Sequence, residues 1–154
     1  MNRLIVIIVL LLLTACAGTR PQAVKIDHST VLSQLEQLPG VQLETVEPVQ
    51  FSYPAQTLFG AGAVLPLPGG TAILDPLAVF FQRNPGLKWR VSVQVQTAYG
   101  TTYDQHLAEK RSELLATYLL SKGVSLEDLQ FHPEAAAGQP LVFTLTLPQK
   151  AVQE

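Results

Sequence analysis

The sequence contains one cysteine, Cys16, and only 14% of its 154 residues are charged. A single cysteine excludes a disulfide within the chain. The charges are nearly balanced, at 10 Lys and Arg against 12 Asp and Glu, and they form no basic run. Because nucleic-acid binding needs a basic surface, we expect no nucleic-acid partner. Long disorder is also excluded for most of the chain, since apolar residues recur along it.

A transmembrane helix is not expected either. The longest apolar run, residues 4–13, would span about 15 Å as a helix, roughly half of a bilayer core. It follows the basic residue Arg3 and ends just before the small residues Thr14 and Ala15. A short basic start, an apolar stretch and a small-residue cleavage site are typical of a secretory signal peptide.

The residues that end this segment, Leu13-Thr14-Ala15-Cys16, resemble the lipobox of bacterial lipoproteins. The resemblance implies that Cys16 is diacylated on its sulfur, that the chain is cut before it, and that the new amine is acylated. Several acyl chains give stable anchoring where one does not. Ala17, where an Asp would imply retention in the inner membrane, implies the outer membrane. The alternative is a plain secretory peptide with an incidental cysteine.

We therefore expect a signal peptide at residues 1–15, a lipidated tether at 16–27, one domain at 28–147 and a tail at 148–154. The tether contains Gly18 and Pro21 and, as coil, reaches about 20 Å. This reach predicts a domain close to its membrane, and we expect it to face the periplasm. Without residues 1–15 the chain keeps 9 Lys and Arg against 12 Asp and Glu.

Hydrophobic patterning predicts an α+β domain with one mixed sheet and two main helices on one face. Ser29 is the predicted cap of a short first helix that ends near Leu38. Pro76, in the second helix, either marks the effective start with Asp75 as cap or kinks the first turns. The remaining predicted elements are a hairpin over 41–45 and 49–53, helices at 71–83 and 102–122, and strands at 89–97, 129–134 and 141–147.

The stretch from the strand at 89–97 through the following helix resembles the OmpA-like C-terminal domain, the peptidoglycan-binding module of OmpA and Pal. That family has a strand ending in T-D-x-x-G and then a helix opening with N-x-x-L-S-x-x-R-A. Here the strand ends in Thr97-Ala98-Tyr99-Gly100, and Leu107 and Arg111 match the helix motif in register. The resemblance covers about Gly40 to Leu147, most of the mature chain, and implies the OmpA-like fold.

The chain departs from the family where ligand binding is concerned. In the family, the Asp of the T-D pair and the helix Arg together grip the diaminopimelate of the peptidoglycan stem peptide, as an Asp suits an ammonium and an Arg suits a carboxylate. Here Ala98 occupies the Asp position, the loop is about two residues shorter, and the family's Asn is Asp104. The resemblance implies an impaired peptidoglycan site, with Thr97, Asp104 and Arg111 as the remaining candidate ligand-binding residues.

The position of Arg111 is informative without the family. It falls inside the predicted apolar stripe of its helix, which comprises Leu107, Leu114, Leu115 and Tyr118, and a buried charge needs a partner or access to water. The guanidinium either snorkels or is held by a carboxylate such as Asp104 or Glu134, or it faces a ligand. Asp104 itself either caps the helix or replaces the missing Asp.

Tyr99 and Tyr103 flank the shortened loop and are candidates for a protein interface, where tyrosine is enriched. The alternative is that they are ordinary exposed loop aromatics. The three histidines share no metal-ligand spacing, and neither a phosphate-binding loop nor a nucleophile–base motif is present. We therefore expect no metal, no cofactor and no enzymatic activity.

Two functions remain open. The first is an outer-membrane lipoprotein that serves as a structural, protein-binding component of a cell-envelope assembly; some secretion systems, including the type IVB (Dot/Icm) apparatus, carry small lipoproteins of this kind. The second is a peptidoglycan-binding anchor of altered geometry that uses Arg111 and Asp104.

Overall fold

The computed structural model describes residues 28–44, 47–55 and 57–146. Cys16, the predicted signal peptide, the tether and the tail lie outside the described residues. The elements in chain order are α1 (His28–Glu36), β1 (Gln42–Glu44), β2 (Gln50–Tyr53), α2 (Gly70–Arg83), β3 (Trp89–Gln94), α3 (Thr101–Ser121), a 3-10 turn (Leu126–Asp128), β4 (Leu129–Glu134) and β5 (Leu141–Leu145).

The five strands form one mixed sheet in the order β1-β2-β5-β3-β4. The strands β3 and β4 are parallel and are connected through α3, whereas all other neighbours are antiparallel. The predicted hairpin is present, with Leu43 opposite Phe51. The predicted α+β class with a mixed sheet is therefore confirmed.

The core lies between the helices and one face of the sheet. Phe51, Phe143 and Val91 occupy one row across β2, β5 and β3, and the Phe51 and Phe143 rings stack at 4.6 Å. From α2, Phe80 and Phe81 meet Trp89 edge to face. Alternation of apolar residues along β3 places them all on this face, so the pattern of the sequence is sufficient to orient the strand.

The buried face of α3 differs in part from the predicted stripe. Leu107, Arg111 and Leu115 are buried as predicted, whereas Leu114 and Tyr118 are only half-buried. Ala108, Ser112 and Leu119 complete the buried face instead. The observed buried face of α3 is therefore turned about the helix axis relative to the predicted stripe, and Arg111 belongs to both.

The predicted helix cap Ser29 is wrong, and so is the alternative in which Asp75 caps α2. Ser29 lies inside α1, which begins at His28. α2 runs through Pro76 from Gly70, with Gly69 at its N-cap, so Asp75 is an interior residue and not a cap. Asp75 instead accepts a hydrogen bond from Tyr118 at 2.5 Å and pairs with Lys122 at 2.6 Å, which joins α2 to α3 on the surface.

The outer edge of β4 is partly closed by a side chain. The Gln105 carboxamide, on α3, donates to the Pro133 carbonyl at 3.2 Å and accepts from the Ala135 amide at 3.2 Å. A neighbouring strand would make the same two kinds of bond. Among the described residues, no helix is both long enough and apolar enough to cross a membrane.

Candidate functional site

Three loops meet at one end of the sheet. They follow β2, β3 and β4. Tyr53, Leu141 and Val93 form the last row that β2, β5 and β3 share, and the pairing of β3 with β4 ends one residue later, at Gln94 and Glu134. Between the loops is an open cavity of about 290 Å³, to which Phe59, Thr97 and Arg111 all contribute. Thr97 and Arg111 are thus brought to one cavity from two different elements, as the resemblance to the OmpA-like domain implies.

Arg111 is a buried cation with main-chain partners. Its side chain is 5% exposed, and its Nε donates to the Ala63 carbonyl at 2.9 Å while Nη2 donates to the Gly60 carbonyl at 2.8 Å. The guanidinium also lies 4.7 Å from the centre of the Phe59 ring. Burial lowers the pKa of Arg111 from its ordinary value, an effect that Tyr103 partly opposes, and a guanidinium remains charged in proteins. Arg111 therefore fastens the loop before α2 to α3.

The carboxylate partners considered for Arg111 are not the ones observed. Within the described residues, neither Asp104 nor Glu134 forms an ion pair or hydrogen bond with it. Peptide carbonyls carry no net charge, so they satisfy the donors of Arg111 without neutralising it. Its third nitrogen, Nη1, makes no hydrogen bond with the described part of the chain, and the side chain lines the cavity.

Asp104 is buried, at 4% exposure, and its carboxylate is hydrogen-bonded to the loop that precedes α3. Its two carboxylate oxygens accept from the Thr97 amide at 3.0 Å and from the Thr97 hydroxyl at 2.5 Å. The same hydroxyl oxygen accepts from the Tyr99 amide at 3.1 Å. No side chain caps the N-terminus of α3, so the alternative in which Asp104 caps this helix is wrong. Asp104 organises the turn through Thr97, and it is not among the residues that line the cavity.

The loop residues between Thr97 and α3 are exposed. Ala98 lies in the turn without a carboxylate, and Tyr99 and Tyr103 both face solvent. The two rings meet edge to face at 5.1 Å, and Tyr103 donates to the Gly62 carbonyl at 3.1 Å. A Cβ at Gly62, which has φ +69°, would lie 3.6 Å from the Tyr103 hydroxyl. The two tyrosines therefore form an ordered pair that is attached to the neighbouring loop.

Sequence reasoning missed the partners of Arg111. Phe59 lies against the guanidinium, whereas Gly60 and Ala63 contribute only main-chain carbonyls to it. Every residue has a carbonyl, so no side-chain pattern identifies them. Among the described residues no group of three His, Cys, Asp or Glu side chains is placed to hold a metal ion.

The comparisons with known proteins rest on structure. No protein-family model matches the chain, and no curated protein matches it. A MotB-like protein from Desulfovibrio vulgaris has a TM-score of 0.61 at 17% identity, over 76% of this chain and 89% of that one. The cell wall anchor of the T6SS from Pseudomonas aeruginosa has a TM-score of 0.56 at 11% identity, over 76% and 94%. The OmpA-like domain of FopA1 from Francisella tularensis has a TM-score of 0.51 at 14% identity, over 69% and 78%. This chain has the OmpA-like fold.

Proposed function

We propose that this protein is a non-catalytic structural component of a bacterial cell-envelope assembly, anchored to the outer membrane by lipid at Cys16 and bound to partner proteins through its OmpA-like domain. The observation that carries the proposal is that the Asp104 carboxylate is used up by hydrogen bonds within the domain. Both of its oxygens are occupied by Thr97, and position 98 offers no carboxylate in its place.

This arrangement lacks half of a clamp for a zwitterionic ligand. A diaminopimelate end presents an ammonium beside a carboxylate, and the ammonium needs an anion within hydrogen-bond reach. The described residues that line the cavity include the cation Arg111 but no Asp or Glu. A charge-assisted hydrogen bond contributes about 1.5–3 kcal/mol. Its loss lowers affinity about ten- to a hundredfold.

The structural comparisons support an envelope role of this kind. One similar structure is described as the cell wall anchor of the T6SS, so an OmpA-like fold serves as a component of at least one secretion apparatus. The lipobox resemblance supports the membrane anchor, which mass spectrometry of the mature chain tests directly. We expect the wild-type chain to carry acyl mass on Cys16. We expect Cys16→Ser to carry none and to be lost from the outer-membrane fraction.

Cosedimentation with purified sacculi tests the proposal against peptidoglycan anchoring. We expect no saturable binding by the wild-type domain. Ala98→Asp restores the carboxylate, and if binding does not rise in this variant, the shortened loop itself is no longer competent. Affinity purification of the full-length chain from its membrane is expected to recover one envelope complex. An Arg111→Lys variant retains the positive charge and should recover the same complex.

A second function is favoured by one observation. Arg111 leaves Nη1 without a partner among the described residues and lines the cavity beside Thr97, which suits an anionic ligand. Peptidoglycan anchoring through Arg111, with Asp104 positioning Thr97, is therefore the alternative. Wild-type binding to sacculi that is released by free diaminopimelate, lost in Arg111→Ala and kept in the matched variant Lys110→Ala would establish the alternative and overturn the first proposal.

A further inference from the structure

Arg111 keeps one nitrogen free at the cavity. Its Nε and Nη2 are bonded to the Ala63 and Gly60 carbonyls, whereas Nη1 has no partner in the described chain. Nη1 is also not one of the fully buried side-chain atoms without a partner, which in the described chain are Tyr53 Oη, Trp89 Nε1 and His132 Nε2. Because Arg111 is only 5% exposed and lines the cavity, its free nitrogen is reached through that cavity.

Two carboxamides line the same cavity and are also free to bind. Gln94 and Gln96 both contribute to its lining, and neither side chain makes a hydrogen bond within the described chain. The Gln94 carboxamide lies over Gly138, where a Cβ would overlap it. A carboxamide both donates and accepts hydrogen bonds, so the pair suits a peptide group, which has one donor and one acceptor.

The charge at the cavity is positive and has no counterpart there. Among the described residues that line it, Arg111 is the only charged side chain. Asp104 lies behind Thr97 with both oxygens bonded to it, and Glu134 is opposite Gln94 in the register of β4, but neither lines the cavity. A carboxylate in the cavity would therefore meet its counter-ion, whereas an ammonium would meet only a like charge.

The size and the walls of the cavity suit the end of a chain. Its volume of about 290 Å³ lies at the lower limit of the range of about 300–1,000 Å³ that small-ligand pockets have. Phe59, Val95 and Pro140 provide apolar walls beside the polar groups. There is thus room for a terminal carboxylate, the peptide group before it and a small side chain.

We propose that the cavity binds the C-terminal carboxylate of a partner protein, with the carboxylate at Nη1 of Arg111 and the last peptide group at the carboxamides of Gln94 and Gln96. The proposal rests on the proposed function and names the group by which the partner is held. A guanidinium and a carboxylate form a charge-assisted hydrogen bond, and capture of a C-terminal carboxylate is a recurring mode of peptide recognition.

The same charges disfavour the cell wall as the source of the carboxylate. A diaminopimelate end carries an ammonium beside its carboxylate, and in a stem peptide this ammonium stays close to the terminal alanine. The cavity offers it no anion. The last residue of a protein chain has an amide nitrogen instead, which is uncharged and can donate to the carboxamide oxygen of Gln94 or Gln96.

NMR titration of the chain, purified from its membrane in detergent, tests the proposal. The probes are N-acetyl-alanyl-alanine, its C-terminal amide, acetate, free alanine and a diaminopimelate muropeptide. Shifts of the Arg111 Nε–H signal and of the Gln94 and Gln96 carboxamide signals report binding. We expect N-acetyl-alanyl-alanine to bind, and each of the other probes to bind at least about tenfold more weakly, because each lacks the carboxylate or the peptide group or adds an ammonium.

Gln96→Glu provides a variant with a predicted change of selectivity. Gln96 is exposed, and the new carboxylate would neutralise Arg111 and repel the ligand carboxylate. We expect binding of N-acetyl-alanyl-alanine to fall about tenfold and binding of free alanine to rise. The matched control is Gln130→Glu, which makes the same change of charge at an exposed residue of β4 away from the cavity and should keep the wild-type order of affinities. Equal urea midpoints of the two variants verify that folding is intact.

Several results would overturn the proposal: no binding of N-acetyl-alanyl-alanine, equal binding of its amide or of acetate, tighter binding of the muropeptide, or unchanged selectivity in Gln96→Glu. Affinity purification from cells then separates this proposal from the proposed function. We expect the wild type and Gln130→Glu to recover the envelope complex and Gln96→Glu to lose the partner. A complex recovered equally from all three strains refutes carboxylate capture and leaves the proposed function standing, whereas no complex from the wild type contradicts the proposed function itself.

Discussion

Replacement of Arg111 by methionine tests whether the buried guanidinium stabilises the domain. The substitution keeps an extended apolar side chain against Phe59 and removes the donors to Gly60 and Ala63. The two carbonyls then lose charge-assisted bonds that contribute about 1.5–3 kcal/mol each. The cation–π contact adds about 0.5–1 kcal/mol.

Part of this loss is offset because the variant no longer holds a guanidinium away from water. We expect a net loss of about 2–4 kcal/mol in the free energy of unfolding. A domain of this size has about 5–15 kcal/mol in total, so the variant should still fold. In urea, with a slope of about 1–3 kcal/mol per molar, the midpoint should fall by about 1–2 M.

Equilibrium urea unfolding followed by Trp89 fluorescence provides the measurement, since Trp89 is fully buried in the core. The matched control is Lys110→Met, one residue earlier on the exposed side of α3, where the change should stay within about 0.5 kcal/mol. Arg111→Lys should lie between the wild type and Arg111→Met, because an ammonium lacks the planar fork. A stability of Arg111→Met equal to or above that of the wild type would refute a supporting role and favour a ligand as the reason for the buried charge.

Three further changes test other contacts. Asp104→Ala leaves the amide and hydroxyl of Thr97 without their acceptor. We therefore expect the free energy of unfolding in urea to fall by about 2–4 kcal/mol and the amides of the loop between Thr97 and α3 to exchange faster. Unchanged exchange would contradict the role of Asp104 in holding this loop. Hydrogen bonds from Lys122 and Tyr118 lower the pKa of Asp75 below its ordinary value of 3.8. Asp75 therefore adds stability that is present above its ordinary pKa and is lost as pH falls through the lower pKa of the folded state. The difference in urea midpoint between the wild type and Asp75→Asn should vanish in acid and become smaller in high salt. Gly138→Ala should lower the free energy of unfolding because its Cβ would overlap the Gln94 carboxamide, and Gln94→Ala in the same chain should restore part of the loss. No restoration would assign the cost to the backbone at φ +149° alone.

The elements that the sequence predicts best are those whose burial repeats with a clear period. Trp89, Val91 and Val93 alternate along β3, and all three are buried in the core. The same reasoning places Arg111 on the buried face of its helix, because 100° per residue brings it between Leu107 and Leu115. Burial of one charged side chain in an apolar stripe was therefore predictable from spacing alone.

The contacts that the sequence does not predict depend on groups without a side-chain signature. Arg111 is satisfied by the carbonyls of Gly60 and Ala63, which any residue could supply. Asp104 bonds backwards to Thr97 and not forwards to the helix amides, and both choices fit an Asp near a helix start. Helix α2 continues through Pro76 because its apolar face packs into the core, and packing of that face outweighs the missing amide.

The Gln105 carboxamide on the edge of β4 has a consequence for assembly. An exposed edge strand offers its peptide groups to any extended chain, which invites aggregation. At Pro133 there is no amide to offer, and Gln105 already occupies the Pro133 carbonyl and the Ala135 amide. Addition of a strand is thus blocked at this corner of the sheet, so a neighbouring chain that meets the end of β4 finds side chains there and no free peptide groups at these two positions.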